Sequence, residues 1–152
     1  MERKEKIVAG ATIGLVVYTL VLAMIGPMVS SALTNRTVSN TGSIKAIGVD
    51  VFWDQACTDP VSSVNWGIVT PGGNRNVTVY IRNTGNSPIT LSMTTSNWNP
   101  TNAPNYMALS WNYAGQTINA NEVTSVTFTL TVSASITAIT NFSFDITIVA
   151  NG

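Results

Sequence analysis

The sequence predicts an all-β body of two packed sheets carried behind one membrane-spanning helix. Three observations predict it. Apolar residues recur at period two in seven separate runs from residue 47 on, clusters of Asn, Gly and Pro punctuate those runs, and one long uncharged apolar stretch precedes them all.

The chain opens with a charged head, MERKEK, over residues 1–6, which the reading places in the cytoplasm. Residues 7–34 (IVAGATIGLVVYTLVLAMIGPMVSSALT) carry no charge at all. About twenty apolar residues cross a bilayer core, whereas a secretory signal has an apolar region of only about 7–15. The stretch therefore predicts a retained transmembrane helix over residues 7–29. Basic Arg3, Lys4 and Lys6 precede it and only Arg36 closely follows, an asymmetry that places the N-terminus inside and the C-terminal domain outside the cell. Cleavage after Ala32, behind the small residues Ser30 and Ser31, is the alternative and yields a secreted body. Either way the body is extracytoplasmic. Residues 30–43 read as a polar linker and residues 44–152 as the β-sandwich domain.

Ile47, Val49, Val51 and Trp53 form the first run, which Gly48 interrupts with a predicted bend. The others follow as Val64, Trp66 and Ile68; Val77, Val79 and Ile81; Ile89, Leu91 and Met93; Met107, Leu109, Trp111 and Tyr113; Val126, Phe128, Leu130 and Val132; and Phe142, Phe144, Ile146 and Ile148. Each run has one apolar face. Trp53, Trp66 and Trp111 share the apolar parity of their runs, which assigns all three to the core. Turn chemistry falls between runs: TPGG at 70–73, NTGN at 83–86, an Asn- and Pro-rich stretch at 97–105, and NANE at 119–122. The stretch VYIRNTGNSPITL, residues 79–91, reads as a β-hairpin with Pro88 opening its second strand. Seven short antiparallel strands so punctuated imply an immunoglobulin-like sandwich.

The run WGIVTPGG at 66–73, the strand after it at 76–82 and then NTGN resemble a signature of secreted immunoglobulin-like modules. Among these are the TasA/camelysin-type fibre proteins and related archaeal cell-surface and pilus proteins, which also carry an N-terminal hydrophobic segment and a single sandwich. The resemblance is close over this stretch and loose over the architecture. It implies a structural or interaction role at the cell surface. In TasA-type fibres a segment near the mature N-terminus completes the neighbour's sheet. The matching segment here, residues 38–47, contains Gly and Ser and is less apolar than an ideal donor strand.

Charged residues are 9% of the chain, against about 25% in soluble proteins generally, so Asn, Thr and Ser must solvate the surface. Beyond residue 33, four bases stand against five acids, which leaves no basic footprint for nucleic acid. The chain has no histidine, which excludes Ser-His and Cys-His catalysis and zinc held by imidazole. Neither phosphate-binding glycine pattern occurs. The expectation is a protein without enzymatic activity or cofactor.

Two stretches carry candidate binding residues. Asp54 and Asp59 bracket the loop DQACTDP, with Asp50 just before it, a weak calcium candidate for an ion that takes about six to eight oxygens; solvated loop acids are the alternative. Trp98 and Tyr106 lie among amides in NWNPTNAPNY, the kind of surface that contacts a glycan or a partner protein; the alternative is that Trp98 folds back to plug the sandwich. Asn35, Asn76 and Asn141 head glycosylation sequons. The lone Cys57 is read either as an intermolecular or free thiol or as an inert buried one. Outward parity gives Thr78, Thr94, Thr127 and Thr131, with few of the charges that usually guard sheet edges. The expected function is a membrane-anchored structural or adhesive role at the cell surface, self-associating through strand edges. A monomeric module that binds through the Trp98 and Tyr106 loop is the alternative.

Overall fold

The structure, a computed structural model, describes residues 40–152. The helix expected over 7–29, the cleavage alternative and Asn35 lie outside the described residues, among which no helix is long and apolar enough to cross a membrane. Eight strands are present among the described residues: β1 (Thr41–Ile47), β2 (Val49–Phe52), β3 (Ser63–Asn65), β4 (Asn74–Asn83), β5 (Thr90–Asn99), β6 (Met107–Trp111), β7 (Val123–Val132) and β8 (Ser143–Asn151). They form two four-stranded sheets with strand orders β3-β1-β8-β5 and β2-β4-β7-β6. The all-β, two-sheet expectation therefore holds.

Its details need correction. The first is β1, which begins inside the stretch read as linker and makes the strands eight rather than seven. Gly42, Ile44 and Ala46 alternate inward and Ser43 and Lys45 outward. β1 lies parallel to β8 along its whole length, from Thr41 beside Ser143 to Ile47 beside Val149, and antiparallel to β3. The sandwich is thus not wholly antiparallel. Small residues hide this strand in the sequence because the space they leave is filled from across the sheet. A Cβ at Gly42 would stand 3.0 Å from Trp66 Nε1.

Gly48 supplies the expected bend and does more with it. Its φ of +79° turns the chain from one sheet into the other, so β1 and β2 are one extended run split between two layers. The inward parity changes from even to odd across it. Ile47, read as inward, is consequently 45% exposed.

Residues 79–91 do not form a hairpin. β4 pairs with β2 and β7, while β5 pairs with β8 in the opposite sheet. Residues 84–89 carry the chain across the end of the sandwich between them. Asn83 makes that crossing possible. Its buried amide nitrogen donates to the carbonyls of Ser87, Ile118 and Asn119 at 2.8, 3.1 and 3.1 Å, and its side-chain oxygen accepts from Gly85 N–H at 2.9 Å. A buried polar group is tolerated when its hydrogen bonds are met, and this one ties two loops together.

Between the sheets Phe128, Phe144, Ile81, Leu130, Ile146 and Ile148 are fully buried, each contributing roughly 1.5–3 kcal/mol by removal from water. Trp66 belongs to this core, and Trp111, half-buried, packs against it with its ring stacked on Phe128 at 6.3 Å. Trp53 does not. β2 ends at Phe52, so Trp53 lies past the last paired residue and is 37% exposed as the chain turns away. Phe52 is buried outside that core, on the opposite parity from Val49 and Val51, with the Arg82 guanidinium 5.0 Å over its ring. Ile68 is also on the surface.

Candidate functional site

Trp98 is placed by a bulge. Pairing of β5 with β8 slips by one residue between Ser96 and Asn99, and Asn97 absorbs the extra residue with a φ of +51°. Asn is among the residues that enter this left-handed region most easily. Inward parity would otherwise fall on Asn97; the bulge transfers it to Trp98. The indole lies on Phe144 with centroids 4.0 Å apart, and its N–H donates to Thr95 Oγ1 at 3.3 Å. One face of Trp98 therefore belongs to the core, as the folded-back reading required. Tyr106, half-buried, closes the 3-10 turn Ala103–Asn105.

The three aspartates are not gathered. Asp50 faces Arg82 at 3.5 Å on the surface of β2 and β4. The Asp54 carboxylate accepts from the N–H groups of Thr58 and Asp59, both at 2.9 Å, and from the Thr58 hydroxyl at 2.8 Å. Those bonds, the Asp59 amide first and the Thr58 hydroxyl second, hold its carboxyl below the ordinary value. Its oxygens organise the loop. Among the described residues no group of three or more Asp, Glu, His or Cys is placed to hold a metal ion. Cys57, half-buried at φ +58°, sits inside the same loop, with its thiol 3.7 Å from the Gln55 carbonyl. Asn76, on the outer face of β4, and Asn141, before β8, are both exposed.

Sequence reasoning did not separate the edges. On one side of the sandwich β2 is sealed by the returning chain, where Val61 N–H donates to Val51 and Trp53 N–H to Asp59, and β3 is only three residues long. On the other side β5 and β6 end their sheets, with the 3-10 turn packed against both. Leu91 N–H points away from β8, to Tyr113 Oη at 3.1 Å, and Ile89 exchanges two hydrogen bonds with Ile118. Alternation turns the backbone groups of Met93 and Thr95 outward as well. Along β6 the bonds from Asn112 to Thr127 and from Ser133 to Tyr106 face β7, so Met107, Leu109 and Trp111 turn theirs outward. Among the described residues these outward groups of Met93, Thr95, Leu109 and Trp111 have no hydrogen-bond partner. Neither β5 nor β6 contains a charged residue or a proline. The Thr faces beside them are knitted across strands, with Thr78 and Thr127 hydroxyls 2.9 Å apart.

No protein-family model matches the chain, and no curated protein matches it.

Proposed function

We propose that this protein is a cell-surface structural or adhesive module: an immunoglobulin-like sandwich held outside the membrane by a helix over residues 7–29 and self-associating edge to edge. One observation carries the reading. β5 beyond Leu91 and β6 offer unpaired, uncharged backbone edges on one side of the sandwich, and natural sheets that remain monomeric guard such edges with charge, proline or covering chain. Strand addition at such an edge gains main-chain hydrogen bonds with no chemistry demanded of side chains. That suits a body so poor in charge. β1 is seated in its own sheet between β3 and β8, so the segment matching a donor strand is engaged within the chain. Edge addition is therefore the mode proposed. Exposed Asn76 heads a sequon and is a glycan acceptor consistent with the same compartment.

The alternative, a monomeric binding module, loses a platform when Trp98 is spent on Phe144, which leaves Tyr106 alone among amides. The deciding experiment is sedimentation of the detergent-solubilised full chain over a rising concentration series, beside a Thr94→Lys, Ser110→Lys variant that places charge on both edges. Growth of the native chain that the variant lacks is expected. A native chain that stays monomeric throughout overturns the reading.

A further inference from the structure

We infer that the end of the sandwich at which β1 begins rests against the lipid surface, with Ile68 and the loop 133–142 as its contact; this rests on the anchor reading of residues 7–29. Four strand ends and three loops meet at that end. Parallel pairing brings the start of β8 beside the start of β1, antiparallel pairing brings the end of β7 and the start of β4 there, and the stretches 66–73, 99–106 and 133–142 form its loops. None of these three stretches contains a charged residue.

The end shares the hydroxyl and amide surface of the body, with Thr101, Asn102, Asn105, Ser135 and Thr137 exposed on its loops, and adds to it one large apolar side chain. Ile68 is 73% exposed, more than any other large apolar residue described. Its backbone is held in place, since Arg75 Nε and Nη2 both donate to the Ile68 carbonyl, at 3.1 and 2.8 Å. Beside it an open cleft of about 230 Å³ is lined by Val69, Met107, Val132, Ile136, Ile139 and Phe142. Asn40, which also lines it, has both ends of its amide engaged, donating to Gly67 at 2.7 Å and accepting from Phe142 N–H at 3.1 Å. The cleft thus offers an apolar group a row of apolar side chains, with Thr140 as its other polar residue.

Chain connectivity selects the occupant. Residue 40 lies at this end, and only residues 30–39 separate it from the apolar segment, a reach of at most roughly 33–36 Å when fully extended. Arg75 is the charge closest along the chain to the loop 66–73 and has the sign that suits anionic headgroups. The acid nearest along the chain to the loop 133–142, Asp145, lies within β8 and accepts from Asn97 Nδ2 at 2.7 Å. A surface so composed matches a bilayer interface.

The test uses the full chain with Cys57→Ser, reconstituted in phosphatidylcholine and phosphatidylglycerol vesicles. Single cysteines replace Ile68, Thr137 on the second loop, or Thr84 at the opposite end, and each carries an environment-sensitive dye. Labels at 68 and 137 are expected to emit to the blue of the label at 84 and to be quenched by lipids brominated on their acyl chains. If the protein floats with the vesicles and all three labels report water, the lipid contact is wrong although the anchor stands. A blue shift at 68 without quenching means that protein, such as a second copy, covers the tip, and also overturns it. Failure to float removes the anchor reading and this inference with it. A glycan found on Asn141, which stands at this end, would likewise count against the contact.

Discussion

Trp98 lies flat on Phe144, with ring centroids 4.0 Å apart and planes 13° from parallel. Phe144 is the meeting point of a larger cluster, stacked also with Trp66 at 6.0 Å and Phe142 at 6.2 Å. A residue that looked like part of an exposed loop is thereby a structural member of one sheet. Trp98→Ala is expected to lower stability by about 3 kcal/mol, the low end for a large aromatic because the indole is only half-buried. Tyr106→Ala should cost about 1 kcal/mol. Denaturant midpoints for the two variants check this, and equal small losses would mean that Trp98 is not part of the core.

Asn83 carries the crossing between sheets. Replacing it by Ala leaves the Ser87 carbonyl and the Gly85 N–H without their partner, while the Ile118 and Asn119 carbonyls keep the bonds from Ile89 and Glu122 N–H, a loss of about 2 kcal/mol where each unmet buried group costs about 1–3. Asn83→Asp is expected to be worse at neutral pH, because a buried carboxylate would face those carbonyls with no proton to donate. Unfolding of the two variants at pH 7 and at acid pH separates them, with the Asp variant recovering as it protonates.

Gly48 stands where the chain leaves one sheet for the other. An alanine there must hold a left-handed backbone, costing about 1–2 kcal/mol, and its Cβ would approach Ala150 Cβ at 3.0 Å. Gly48→Ala is expected to destabilise accordingly. Gly67→Ala, also at positive φ but with nothing within 4 Å, should show the backbone cost alone, and thermal unfolding of the pair measures the difference.

Asp54 makes the loop after β2 sensitive to acid. Its carboxyl is depressed in the folded state by the Asp59 amide and the Thr58 hydroxyl. A depressed acid contributes order that is complete above its unfolded pKa and is lost as pH falls through the lower folded value. The Thr58 and Asp59 amide resonances should therefore titrate together, with a midpoint below that of an unperturbed aspartate. Asp54→Asn should abolish that titration while leaving the two sheets intact. A midpoint at or above the ordinary value would mean that the loop bonds do not form in solution.

Much of the fold was legible in residues alone. Seven period-two runs identified most of the strands, because a half-buried strand must alternate, and the bend at Gly48 followed from a glycine inside such a run. β1 escaped because Gly42 and Ala46 are too small to register as an apolar face, the space at Gly42 being taken by Trp66 from just past β3. The Asp50, Asp54 and Asp59 constellation was suggested by spacing. Spacing does not reveal that Asp54 is occupied by its own loop and Asp50 by Arg82.

What the sequence determined by itself is therefore local: strand identity, turn positions, the absence of histidine chemistry, and a surface of hydroxyls and amides. Partnership was decided by tertiary structure. Val79 to Leu91 carries every mark of two strands and a reversal, and those marks are the same whether the second strand folds back on the first or crosses to the other sheet. The buried amide of Asn83, reaching Ile118 and Asn119 thirty-five and thirty-six residues away, favours the crossing. Likewise only the bulge at Asn97 turns Trp98 inward. Pairing depends on residues distant in the chain meeting in space, and no local pattern encodes that meeting.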